Sequence, residues 1–228
     1  MTSERELLAA EIEREAGKIL DFFRGFIRAR SPNPPGDTRA AADTGTQVHD
    51  VFDRLSRGEK VPRLHPEIKV YADHFKDYLD TVQPELLYAE ETVWSEAHDY
   101  AGSFDNLSVI DGRPAWVDYK TTRSGVHPEV SLQLTAYAFA DYVLLPDGTQ
   151  LDIPHSRDGL VLHIRPEGWK LYPARIDDEQ FEIFLHLREI FRWSHEHKAA
   201  TIGDPVAGTD LGERPKPAAR VARAKRGA

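Results

Sequence analysis

Gly102-Ser103-Phe104-Asp105-Asn106-Leu107-Ser108-Val109-Ile110-Asp111-Gly112-Arg113-Pro114-Ala115-Trp116-Val117-Asp118-Tyr119-Lys120 reads as two strands joined by a two-residue turn. Asp-Gly between apolar runs tolerates the left-handed backbone that both turn positions require, and it is a strong hairpin signal. With Asp111-Gly112 as the loop, Ile110 faces Arg113, Asp105 faces Asp118 and Ser103 faces Lys120. Alternation along a strand also puts Asp118 and Lys120 on one face. Asp105, Asp118 and Lys120 therefore converge on one side of one hairpin. Directly opposed side chains have Cβ atoms about 5 Å apart, and like charges there repel. Two readings follow. Either a hard divalent cation such as Mg²⁺ removes the repulsion, since it is held by carboxylates plus waters and phosphate oxygens, or both aspartates lie on a solvated sheet face, each with its own salt bridge. In the first reading Lys120 stabilises a pentacovalent phosphate or orients an attacking water.

Outward from the hairpin, the pattern changes period. Leu86 to Trp94 reads as a preceding strand, and residues 128–142 as a helix with Pro128 in its first turn. Leu160 to Ile164 and Trp169 to Pro173 form a second hairpin around Glu167-Gly168. A last helix starts near Asp177, where Asp177 and Gln180 fit a capping box, and runs to about His197. Toward the N-terminus, helices are expected over residues 3–29, from Asp43 or Thr44 to Ser56 with Gly58 past its end, and from Pro66 to Thr81. In the last of these, Ile68, Tyr71, Phe75, Tyr78 and Leu79 share a side. Ser31-Pro32-Asn33-Pro34-Pro35-Gly36-Asp37 stops the first helix. The order of elements predicts a mixed α/β (α+β) domain without internal repeats.

Composition narrows the chemistry. The chain has 228 residues, no cysteine and a formal net charge of -9. Without cysteine there are no disulfides, thiolate zinc sites, cysteine nucleophiles or cysteine-held iron–sulfur clusters. No apolar run approaches the roughly 20 residues of a membrane span, and the charged N-terminus is not a signal peptide, so a cytoplasmic protein is expected. The charge is uneven: residues 212–228 carry a net +5, which leaves -14 on residues 1–211. That Ala-, Pro- and Arg-rich tail, residues 205–228 in all, is expected to be a disordered basic arm, either a solubilising tail or a nucleic-acid contact.

Other candidates gather around the hairpin. His49 lies on the predicted helix before the sheet, and imidazole is a good ligand for Mn²⁺. A lone histidine there is also an ordinary surface or core-edge residue. Gln133 and Tyr137 are four apart and share a helix face. His195-Glu196-His197 places its histidines two apart on a helix, on different faces, and reads as a polar helix end. Trp94, Trp116, Trp169 and Trp193 read as packing residues, and Arg123 and Arg165 as cations within reach of a phosphate.

Taken in order, Gly45-Thr46-Gln47-Val48-His49, Glu90, Gly102-Ser103-Phe104-Asp105, Asp118-Tyr119-Lys120-Thr121 and Gln133-Leu134-Thr135-Ala136-Tyr137 resemble the motif set of the PD-(D/E)xK nuclease superfamily. The likeness is to the RecB-type branch, which includes CRISPR-associated and phage exonucleases, and it covers residues 41–200. It implies a restriction-endonuclease-like core, a mixed central sheet flanked by helices, within a nuclease domain at residues 41–204. It also implies a Mg²⁺- or Mn²⁺-dependent DNA exonuclease of DNA processing, repair or recombination, leaving 5′-phosphate and 3′-hydroxyl ends. By the same resemblance His49, Asp105, Asp118 and the backbone carbonyl of Tyr119 bind metal, and Lys120 is the catalytic lysine. Glu90 is an auxiliary acid, with Glu91 pointing the other way. Gln133 and Tyr137 contact DNA or support the lysine, and Arg123 is a nucleic-acid contact. A helicase or recombinase partner fits such an enzyme.

Two departures stand out. The cysteines that hold an iron–sulfur cluster in many CRISPR-associated relatives are missing, which points to a cluster-free member. Residues 19–43 resemble the start of acetylornithine deacetylase-type zinc hydrolases, and nothing later matches those enzymes' metal ligands. Residues 1–40 are therefore expected to be a helical leader, coincidental or grafted. The rival functional reading is a catalytically inactive DNA-binding or assembly module of the same fold.

Overall fold

The computed structural model describes residues 36–209. The expected helix over residues 3–29, the proline-rich stop at 31–35 and the basic tail at 212–228 lie outside the described residues. The architecture is mixed α/β, with a five-stranded and a four-stranded sheet. In chain order it runs α1 (Gly36–Ser56), α2 (Pro66–Val82), β1 (Glu85–Ala89), β2 (Thr92–Ser95), β3 (Tyr100–Ser103), β4 (Asn106–Ile110), β5 (Arg113–Lys120), α3 (Glu129–Ala138), β6 (Tyr142–Leu144), β7 (Gln150–Asp152), β8 (Asp158–Arg165), β9 (Gly168–Arg175) and α4 (Asp178–Arg192). The larger sheet has the order β1-β4-β5-β8-β9, parallel only between β5 and β8, and the smaller has the order β3-β2-β6-β7. A parallel neighbour requires a crossover. Here α3, β6 and β7 supply it, so the strand that ends in Lys120 leads directly into the helix that covers it.

The central hairpin forms as its sequence dictates. Asp111 (φ 50°) and Gly112 (φ 75°) both adopt the left-handed backbone of a type I′ turn. Ile110 pairs with Arg113 and Asn106 with Val117. The ladder stops there, one residue short of the expected Asp105–Asp118 pair, because the chain leaves the sheet at Phe104-Asp105. Ser103 pairs with Thr92 in the other sheet, not with Lys120.

This departure has a counterpart on the neighbouring strand. The expected strand from Leu86 to Trp94 is two strands in two sheets, broken at Glu90, whose φ is 55°. Across the break the Glu90 N–H donates to the Asp105 carbonyl at 3.2 Å and the Phe104 N–H to the Glu91 carbonyl at 3.0 Å. A single antiparallel ribbon, β1–β2 against β4–β3, thus bends from one sheet into the other, and both of its strands turn at an acidic residue. Left-handed backbone at a non-glycine costs about 1–2 kcal/mol, so the bend is held by its surroundings.

Each face of the larger sheet has its own core. Val117, Tyr119, Leu162 and Ile164 pack under α1 and α2, against Val51, Phe52, Ala72, Phe75 and Tyr78. Leu107, Trp116 and Val161 pack under α3, against Val130, Leu134 and Tyr137, with Val93 and Val143 of the smaller sheet. Covered on both sides, Ala115 to Tyr119 are all buried. Tyr100, Phe181 and Phe184 join α4 to α3 through Ala136.

Several boundaries move from their expected places. α1 starts at Gly36, well before Asp43, and Gly58 (φ 71°) does lie past its end. α3 ends at Ala138, because Tyr142–Leu144 is needed as β6 beside β2. Pro128 precedes the first helical residue of α3. α4 is capped by Asp177, which accepts from the Gln180 N–H at 2.9 Å, but the Gln180 side chain accepts from Ser131 Oγ at 3.3 Å rather than closing the box. α4 gives way at Trp193 to a wider π turn that carries His195-Glu196-His197. Of the tryptophans, Trp116 is core and Trp169 packs edge-on against Tyr78, whereas Trp94 and Trp193 are largely exposed.

Gly159 sits on β8 beside Trp116, where a Cβ would meet Ile176 Cδ1 at 2.8 Å and the Ala174 carbonyl at 2.9 Å. Backbone cannot step aside, so Gly159→Ala is expected to cost about 1–3 kcal/mol. A lowered urea midpoint, relative to wild type, checks this.

Candidate functional site

The site forms where the ribbon bends over the end of β5. Asp105 leaves the ladder at the bend, and its Oδ2 accepts from the Tyr119 N–H at 2.6 Å. That bond replaces the missing ladder contact and fixes the carboxylate against β5. Asp105 Oδ1 lies 3.3 Å from His49 Nδ1, which α1 delivers from above. The imidazole stacks on Phe52 and meets Tyr119 edge-on, so its ring plane is set by core aromatics. Glu90 completes the group: one ligand atom from each of His49, Glu90 and Asp105 lies within 4.8 Å of the others. Among the described residues this is the one such cluster of potential metal ligands.

Asp118 is adjacent but faces Lys120. Lys120 Nζ sits astride its carboxylate, donating to Oδ1 at 2.7 Å and approaching Oδ2 at 2.6 Å. The second approach is ionic and lacks hydrogen-bond geometry, so buried Oδ2 has no hydrogen-bond partner. The Asp118 side chain is 3% exposed and that of Lys120 is 30% exposed, which places the ammonium at the mouth of the site.

The electrostatics follow from burial and crowding. Burial pushes the Asp118 carboxyl up to about 6, with the charge of Asp105 adding to it and Lys120 opposing. Burial, then the charge of Asp105, pushes Glu90 up to about 7. Burial would also raise Asp105, but its bond to His49, the charges of His49 and Lys120 and the Tyr119 N–H hold it below the ordinary carboxylate range. His49 and Lys120 are held above their ordinary values, as Asp105 and Asp118 outweigh the burial that would lower them. Carboxyls that burial and neighbouring charge make resist ionisation, beside an imidazole, fit a hard divalent cation such as Mg²⁺ or Mn²⁺.

The remaining sequence candidates divide. Gln133 Nε2 donates to Tyr137 Oη at 2.7 Å, and Tyr137 Oη donates to the Ser103 carbonyl at 2.6 Å. Tyr137 is buried. The pair therefore holds the chain just before Asp105. Arg123 lies on the exposed loop after β5. His195, Glu196 and His197 are exposed, with His195 Nδ1 against the Phe191 carbonyl, and form no cluster with the site.

Arg57 escaped the sequence reading. It donates to the Ala89 carbonyl at 2.6 Å and to Asp53 at 2.8 Å, tying the residue before Glu90 to α1. The signal was present, since His49, Asp53 and Arg57 recur every four residues along one helix face.

No protein-family model matches the chain, and no curated protein matches it. One solved structure, "Crystal structure of SSO0001", is similar over 82% of this chain and 88% of its own, at 11% identity and a TM-score of 0.35. Function is argued from the site itself. No described helix is long and apolar enough to cross a membrane.

The raised acids make stability pH-dependent. Between the ordinary carboxyl value of 4.5 and about 7 for Glu90 in the fold, the folded chain binds more protons than the unfolded one. Stability is therefore greatest below that window and falls as pH rises through it. Asp118 acts in the same direction between 3.8 and about 6. In chelator, the urea midpoint is expected to drop from pH about 5 to pH about 8, and to drop less in Glu90→Gln.

Proposed function

We propose that the chain is a metal-dependent DNA nuclease of the PD-(D/E)xK type, hydrolysing phosphodiester bonds. One observation carries the reading: acids from both arms of one hairpin meet at the end of β5, Asp105 held by the Tyr119 N–H and Asp118 by Lys120, with His49 and Glu90 closing on the first. A solvated sheet face would not bury Asp118 to 3% exposure.

His49, Glu90, Asp105 and Asp118 would hold one or two Mg²⁺ or Mn²⁺ ions, together with the Tyr119 carbonyl, which on an extended strand leaves the chain on the same side as the N–H that holds Asp105. Such an ion, when bound, lowers the pKa of a coordinated water and polarises the scissile phosphate. The protein's part is orientation and charge. Asp105 is locked between His49 and the Tyr119 N–H and cannot swing away. Gln133 and Tyr137 hold the bend that aims it. Lys120 stays protonated at neutral pH beside Asp118. It acts as a cation that offsets charge developing on the phosphate.

Lys120→Ala is expected to lower Mg²⁺-dependent cleavage of end-labelled DNA by about 10²–10³-fold, the loss typical of a single charge-stabilising group. Asp105→Asn and Asp118→Asn should abolish it, with far-UV circular dichroism unchanged. Undiminished cleavage in these variants would refute the site. A wild-type protein that binds DNA but never cleaves it in Mg²⁺ or Mn²⁺ would make the chain the inactive module instead.

A further inference from the structure

The face of the larger sheet that carries Asp118 and Lys120 continues beyond them. Across the parallel ladder Lys120 pairs with His163, and His163 pairs with Lys170 on β9. One step down, Asp118 pairs with Val161, and Val161 with Tyr172. Paired residues share a face, so Lys120, His163 and Lys170 form one row, with Tyr172 and Arg165 on either side. Strands are about 4.8 Å apart, which places Lys170 about 10 Å from Lys120 at the sheet's edge. There the β8–β9 hairpin lines an open cleft of about 600 Å³ with His163, Arg165, Glu167, Trp169, Lys170 and Tyr172.

The cleft's chemistry differs from that of the chain around it. The protein carries -9 overall, yet on this surface Arg165 and Glu167 are paired at 3.2 Å, which leaves the charge of Lys170 uncompensated. Lys170 is exposed and has no ion pair among the described residues. Tyr172 is 38% exposed, a bare ring beside it. His163 Nε2 donates to the Thr122 carbonyl at 2.8 Å, and Arg165 donates to the Arg123 carbonyl at 3.4 Å. The loop that follows Lys120 is thereby fastened to the cleft wall.

We infer that this cleft is a track for single-stranded DNA leading to Asp118 and Lys120, with Lys170 meeting the phosphate backbone and Tyr172 stacking on an unpaired base. An aromatic face recognises a base only when the base is not stacked in a duplex, and this selects a single strand over a double helix. The inference deepens the nuclease reading and rests on it only for the direction in which the strand leads.

Anisotropy of fluorescein-labelled oligo(dT) with the full chain, in chelator and across a salt series, tests the track. Lys170→Ala is expected to weaken binding and to reduce the salt slope by about one. Tyr172→Ala should weaken it by about 5- to 100-fold, with Tyr172→Phe restoring it, since the ring and not the hydroxyl stacks. Lys76→Ala, on exposed α2, should bind as wild type. The track is overturned if wild type does not bind, if Lys170→Ala and Tyr172→Ala bind as wild type, or if a duplex of equal length binds more tightly than the single strand. The two readings fail separately: cleavage with unaltered variant binding refutes the track alone, and impaired variant binding without cleavage in any metal refutes the nuclease alone.

Discussion

The structure is organised around one electrostatic constraint: carboxylates brought together at the end of a hairpin inside a fold that buries them. Asp105 and Asp118 come from opposite arms of the same ribbon, and Glu90 arrives on the strand beside them. Left alone, such a group would repel itself and resist ionisation. The fold answers with His49 and the Tyr119 N–H on Asp105, and Lys120 on Asp118. Those partners offset burial and repulsion only in part, since Glu90 and Asp118 remain pushed up to about 7 and about 6. The unmet remainder is what a divalent cation would neutralise.

The bend of the ribbon converts this constraint into a site. In the ribbon's register Glu90 stands directly opposite Asp105, between the Ala89–Asn106 and Thr92–Ser103 pairs, where like charges repel. By turning both strands at these residues, the ribbon passes from one sheet to the other and points the two carboxylates toward the same space under His49. Arg57 fastens one strand just before its turn, and Tyr137 fastens the other. Strain at Glu90 is maintained by contacts on both sides, as expected where a backbone outlier serves a site.

The hairpin was legible because Asp111-Gly112 leaves one register open, and that register brings Asp118, Lys120 and the neighbourhood of Asp105 together. α2 was legible because Ile68, Phe75 and Tyr78 mark one helix face, and α4 because Asp177 caps it. The bend was not legible. Residues 86–94 and 102–110 each alternate as a single strand does, and nothing in a period of two distinguishes a strand that stays in its sheet from one that changes sheets. β6 and β7, three residues each, are too short for any period. The centrality of Glu90 was hidden because its place opposite Asp105 follows from the pairing of β1 with β4, which no local period reveals. Lys120 and Asp118 were correctly placed on one face, but their mutual pairing, with Asp118 turned away from the cluster of three, depends on burial.

Net charge takes on a different meaning in this light. An acidic chain has no general attraction for nucleic acid, and a metal site adds to its acidity. On the proposed reading attraction would have to be local, and Lys170, exposed on the cleft face, would supply it. The account depends most on the carboxylate cluster being a cation site. Anomalous diffraction from crystals of the wild-type protein soaked in Mn²⁺ tests this most directly. The account predicts a peak among His49, Glu90 and Asp105 that is lost in Asp105→Asn, and a cluster without a peak, or a peak that persists unchanged in Asp105→Asn, would contradict it.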